Sequence, residues 1–172
     1  MPYYYALSIL LSAFLLFLVQ PMIGKVILPW FGGTPTVWPT VLLFFQVVLT
    51  GGYAYAYWLL GRPRNRLQSM IHLLLLCLSL GLLLVTTLVW TSPLTPDASW
   101  RLQGNAQPIL GILKVLAVSV GIPYFLLSSN STLMQGWFSN EYRDRIPYRL
   151  YVLSNLGSLL ALISYPILLN PI

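Results

Sequence analysis

Long apolar runs alternate along this chain with short breaks rich in glycine, proline or arginine. The runs cover residues 3–20, 40–60, 70–90, 109–127 and 150–169. Each is close to the ~20 apolar residues that carry a helix through a bilayer's ~30 Å hydrocarbon layer. Strands cannot cross singly, because their backbone groups would stay unpaired in lipid. The pattern therefore predicts an all-α polytopic transmembrane helix bundle of about five spans, forming a single domain over residues 1–172.

The breaks refine the boundaries. Pro2 suits the start of the first span, where its missing N–H costs nothing, and Pro21 is expected to kink or end it. The connector over residues 22–39 holds Trp30, Phe31 and Trp38, side chains that settle at headgroup level. Gly61-Arg62-Pro63 stops the second span, and residues 91–107 form the longest polar stretch. Apolar character runs from 109 to 138, too far for one straight span, so a fourth helix kinked or broken between Pro123 and Thr132, or a span followed by a short interfacial helix, is expected. Pro166 lies near the end of the fifth span, where it disturbs the helix least.

Composition fixes the compartment. Hydrophobic residues make up 58% of the chain and charged residues 7%, with a mean hydropathy of +0.78. A soluble domain carries about 25% charge, so a soluble enzyme is excluded, and a disordered chain would be far poorer in apolar residues. The net charge of +6 is topogenic rather than a nucleic-acid footprint. Arg62, Arg64 and Arg66 lie between spans two and three, and Arg143, Arg145 and Arg149 between spans four and five. Only Lys25, Arg101 and the snorkelling Lys114 fall on the other side. The positive-inside rule then sets both arginine loops and the N-terminus in the cytoplasm, and the C-terminus outside. The first segment lacks a basic n-region and reads as a retained helix, not a signal peptide. Cys77 has no partner for an intrachain disulfide and is expected to be a buried, inert thiol.

Catalytic chemistry finds little support. The chain has one histidine and three carboxylates, Asp97, Glu141 and Asp144, all three placed in loops. No metal-binding or nucleophile motif is present, so no catalytic residue, metal or cofactor is assigned. His72 remains a weak candidate as an axial ligand, and a lipid or pigment in a groove stays open. Polar residues inside the spans carry more weight, since each must find a partner in hydrocarbon. Gln46, Ser128, Ser129, Asn130, Ser131 and Asn155 are the candidates, either lining a small cavity or bonding helix to helix. Gly51, Gly52, Ser154, Gly157, Ser158 and Ala161 are small residues spaced for close helix packing.

Several strings resemble the membrane region of the bacterial fused major-facilitator/spermidine-synthase family. They include Gln20-Pro21-Met22-Ile23-Gly24-Lys25, Leu28-Pro29-Trp30-Phe31-Gly32-Gly33-Thr34-Pro35 and Gly52-Tyr53-Ala54-Tyr55-Ala56. Gly121-Ile122-Pro123-Tyr124-Phe125 and Leu153-Ser154-Asn155-Leu156-Gly157-Ser158 fit the same pattern. The likeness extends over nearly the whole chain and is weakest over residues 84–107. It implies a multi-pass protein of the bacterial inner membrane. Members typically carry an aminopropyltransferase-like cytosolic domain, and nothing of it is expected within these residues, whether or not the natural chain continues past Ile172.

Two functional expectations follow. The first is a non-catalytic accessory or scaffold subunit, embedded in the bilayer and packed against other membrane-protein subunits. The second is a carrier-like or ligand-binding module, for a polyamine or lipid, supported by the broken fourth helix and its polar patch.

Overall fold

A computed structural model describes residues 3–31, 35–63, 65–89, 108–142 and 148–168. Five helices are long and apolar enough to cross a membrane, and no strand occurs among the described residues. We label the helices α1 (Tyr3–Ile27), α2 (Val37–Leu60), α3 (Asn65–Val89), α4 (Pro108–Leu116), α5 (Ile122–Glu141) and α6 (Tyr148–Leu168). A short 3₁₀ turn, Leu28–Phe31, follows α1, and a π segment, Ala117–Gly121, joins α4 to α5 into one span. The fold is the all-α five-helix bundle expected.

The first helix passes through Pro21 and ends at Ile27, seven residues beyond the expected boundary at Gln20. Ile23 and Ile27 bury against Val37, Val41, Phe44 and Phe45. That apolar contact outweighs the one helical hydrogen bond that proline removes. The irregularity of the fourth span lies over Ala117–Gly121, and the Ser128–Thr132 patch itself sits in regular α-helix. Pro123 supplies the physical cause, because its ring crowds the Ser119 carbonyl one turn earlier and offers it no N–H. Widening that turn into a π segment relieves the clash. The span is thus a continuous helical path and not two separated helices.

Burial explains which faces meet. Tyr5, Ile9, Ser12, Ala13, Leu16, Ile23, Gly24 and Ile27 form the buried stripe of α1, at the three- and four-residue steps of one helix face. The buried residues of α3 are Gln68, His72 and Ser79, and most of its leucines face outward, Leu75 and Leu83 being half-buried. A water-soluble helix would be turned the other way round, and lipid as the outer solvent accounts for the inversion. Cys77 is on this outer face, exposed at the bundle surface and not buried as expected, because it lies well round the helix from His72.

The most extensive packing joins α1 to α6, α2 to α5 and α1 to α5, while α3 rests mainly on α5. Glycines permit the closest approaches. A Cβ at Gly157 would stand 2.5 Å from the Leu10 carbonyl oxygen, and one at Gly52 would stand 2.9 Å from that of Phe125. Ala161 is fully buried, whereas Gly51 keeps an ordinary 3.5 Å clearance to Phe125.

Three apolar clusters lock the bundle. One gathers Leu16, Ile23, Phe44, Phe45, Leu116 and Tyr124 toward the end bearing Lys25. Two others, Tyr5–Ile9–Phe138–Leu150 and Ala56–Leu59–Leu133, close the end bearing Arg62, Arg66 and Arg149. These three arginines are exposed, and Arg62 lies over the Trp58 ring at 4.3 Å. Arg64, Arg143 and Arg145 fall outside the described residues.

Candidate functional site

Between the apolar clusters lies a layer of hydroxyls and amides, built around the central helix α5. Its residues from Ser128 to Gln135 turn polar atoms to two neighbouring faces, with Ser12 of α1 reached from both. On one side the Asn130 amide donates to Ser8 Oγ at 3.1 Å and to Ser12 Oγ at 2.5 Å, both on α1. On the other, Ser131 Oγ stands 3.5 Å from Ser154 Oγ on α6, and Gln135 donates to Ser131 at 3.4 Å.

This second side opens into a cavity of about 260 Å³ walled by α1, α2, α5 and α6. Ser12, Tyr53, Ser128, Ser131, Gln135 and Ser154 supply its polar lining. Its described walls contain no charged side chain. Two of the hydroxyls are turned onto their own helices. Ser128 Oγ donates to the Phe125 carbonyl at 2.7 Å and Ser158 Oγ to that of Ser154 at 3.0 Å. Their oxygens retain lone pairs, so the lining can accept hydrogen bonds as well as donate them. Such a site suits a small uncharged polar molecule or a cluster of waters. At ~30 Å³ per water, the space corresponds to roughly eight or nine.

Other sequence candidates lie elsewhere. Gln46 on α2 and Asn155 on α6 are exposed on outer faces and do not join the cavity. Ser129 is fully buried and donates to the Leu126 carbonyl at 2.8 Å, which makes it a helix-internal contact. Ser154 and Ser158, first read as packing residues, line the cavity.

His72 lies toward the arginine-bearing end, next to Asn130 of the polar layer. It is 2% exposed, stacked against Tyr55 with centroids 6.1 Å apart and edge-on to Trp137 at 6.2 Å. Its Nδ1 is 3.5 Å from the Tyr55 hydroxyl. Among the described residues, no group of three His, Cys, Asp or Glu side chains is placed to hold a metal ion.

Among the polar contacts that escaped the sequence, two tie helix ends. Gln68 Nε2 donates to the Arg62 carbonyl at 2.6 Å and to that of Leu60 at 3.4 Å, closing the C-terminus of α2. Tyr5 donates to Glu141 Oε2 at 2.7 Å, tying the start of α1 to the end of α5. A polar residue near the start of a span, four positions before a histidine on the same face, is the signal that marks Gln68. Nothing local marks the Tyr5–Glu141 pair.

No protein-family model, curated protein or solved structure matches this chain.

Proposed function

We propose that this multi-pass membrane protein is a non-catalytic, carrier-like ligand-binding module whose cavity between α1, α2, α5 and α6 takes a small uncharged polar solute. The observation that carries the reading is a cavity at mid-bundle in which seven hydroxyls and the Gln135 amide interleave with Ala13, Leu16, Phe17 and Leu127, and to which Thr132 adds one more hydroxyl. Polar groups in hydrocarbon are costly unless they are partnered, and a polar guest would satisfy the free lone pairs. A polyamine fits less well, since no carboxylate stands among the described lining residues to pair with its charges. The resemblance to the membrane region of the fused major-facilitator/spermidine-synthase family agrees with a membrane module. With it comes the proposed setting, a bacterial inner membrane with the arginine-bearing end in the cytoplasm.

The test is solute entry into proteoliposomes, followed by light scattering with glycerol and erythritol. Wild-type chain should raise entry above protein-free vesicles, and Ser131→Val with Ser154→Val should abolish the gain by removing two of the hydroxyls that would bind the solute. Wild-type permeability equal to that of empty vesicles would sink the carrier reading.

A second reading rests on a different observation. Only 11% of the apolar window of α3 is buried, which leaves a broad leucine face beside the bundle. An accessory subunit packed against a larger membrane complex through α3 would use that face. Gentle extraction from native membranes, with mass spectrometry of the intact particle, separates the readings. Leu74→Trp and Leu78→Trp would release a partner without altering solute entry.

A further inference from the structure

A second cavity lies against the π segment of the fourth span, with Leu127 lining both this space and the polar one. It measures about 260 Å³ and is walled by Val19, Ile23, Leu83, Val120, Pro123 and Leu127, with Ser119 beside them. The lining is apolar apart from two hydroxyls, that of Ser119 and that of Tyr124, which accepts a hydrogen bond from Gln20. Ser119 is only 3% exposed, and its Oγ has no hydrogen-bond partner among the described residues. Serines in helices ordinarily turn the hydroxyl onto a carbonyl three or four residues back, as Ser128 and Ser129 do here. Ser119 does not, and it occupies the turn that Pro123 has forced into π geometry. An unmet buried hydroxyl costs about 1–3 kcal/mol, and π turns inside helices often mark binding sites.

We propose that this cavity takes an apolar, membrane-dissolved molecule bearing one carbonyl group, with Ser119 Oγ donating the hydrogen bond. Size fits a ring compound, because an apolar cavity of about 150 Å³ already admits benzene. Depth sets the source. Val19 lies about 12 Å along α1 from Ile27, and Ser119 about 16 Å from the start of α4, taking ~1.5 Å per residue. In a ~30 Å hydrocarbon layer this is near the middle, well below the ester carbonyls of bilayer lipids. The guest is therefore a free lipophile entering beside α3, the helix least held by the rest of the bundle.

The experiment compares 1-acetylnaphthalene with 1-isopropenylnaphthalene, which share ring and bulk and differ in the carbonyl. Binding to the purified chain in lipid nanodiscs is measured calorimetrically, with affinities referred to concentration in the membrane. The acetyl compound should bind about 3- to 10-fold more tightly, the range expected of one neutral hydrogen bond. Ser119→Ala should equalise the two by weakening only the acetyl compound. Leu83→Trp, which fills the cavity from α3, should remove saturable binding of both while thermal stability is kept. Equal wild-type affinities, a preference that survives Ser119→Ala, or no saturable binding would each overturn the proposal. Repeating the titration in ether-linked lipids, which lack ester carbonyls, identifies the source. A preference present only there would mean that a bilayer ester occupies Ser119, and the free-lipophile assignment would fall.

Discussion

Trp137 and Gln68 meet across the bundle, the indole Nε1 of α5 donating to the Gln68 Oε1 of α3 at 2.7 Å. The same glutamine amide donates to the carbonyls of Arg62 and Leu60 at the end of α2. One side chain, 1% exposed, thus satisfies helix-end carbonyls and an indole at once, and it holds three helices together. Helix-end carbonyls have no partner within their own helix, which gives the amide its leverage.

Gln68→Leu should accordingly destabilise the bundle by about 1–3 kcal/mol, since it leaves buried donors and acceptors unmet. Trp137→Phe removes one hydrogen bond and should cost about 1 kcal/mol beyond its loss of packing. Reversible unfolding in mixed micelles titrated with SDS measures both. Equal stability of Gln68→Leu and wild type would show that the amide contributes nothing.

Asn130 bonds two serines of α1, yet such contacts are modest in lipid, averaging ~0.6 kcal/mol and reaching ~1.7. A double-mutant cycle of Asn130→Ala with Ser12→Ala should return a coupling energy in that range. A coupling near zero would remove Asn130 from the α1–α5 contact.

Glycines of similar appearance should behave differently. Gly157→Ala places a methyl 2.5 Å from a backbone oxygen of α1, so α6 must shift, at about 1–3 kcal/mol. Gly51→Ala meets only the Phe125 ring at 3.5 Å and should be close to neutral. The same unfolding titration ranks them, and a reversed order would contradict the α1–α6 packing.

The number of spans was legible because length and apolarity alone determine whether a helix can cross a bilayer. The buried faces were harder to read. Helix α1 is apolar all round, so its inward stripe is marked by Ser12, Ala13 and Gly24 and not by hydrophobicity. Pairing small residues at four-residue spacing found Gly157 and Ala161 for this reason. Gln46 and Asn155 were misplaced because a polar residue in a span does not itself say which way it points. Only neighbours one turn away do so, as Phe44 and Phe45, buried on α2, indicate that Gln46 lies on the other face. The cavity was half legible. The Ser128–Ser131 patch was visible in the sequence, but its contact with Ser154 depends on a chain separation that no local pattern encodes.

Topology offers a direct measurement. With Cys77→Ala as background, Lys25→Cys should react with a membrane-impermeant maleimide in intact spheroplasts. Arg66→Cys and Arg149→Cys should react only after permeabilisation. Labelling in the opposite sense would reverse the cytoplasmic assignment of the arginine-bearing end, and labelling of all three from outside would remove the bundle from the membrane.

The partnership of the first helix with the last has a bearing on synthesis. Tyr165 donates to the Pro21 carbonyl at 3.3 Å, across 144 residues of chain. At ~5–20 residues per second, a ribosome needs roughly 7–30 s to travel that distance. For all of this interval the α1 surface destined for Gly157 and Tyr165 has no mate. Its serines wait equally for α5. The nascent protein must therefore keep an unfinished seam sheltered from foreign helices until the final span arrives, which makes the closing step of assembly the one most open to error.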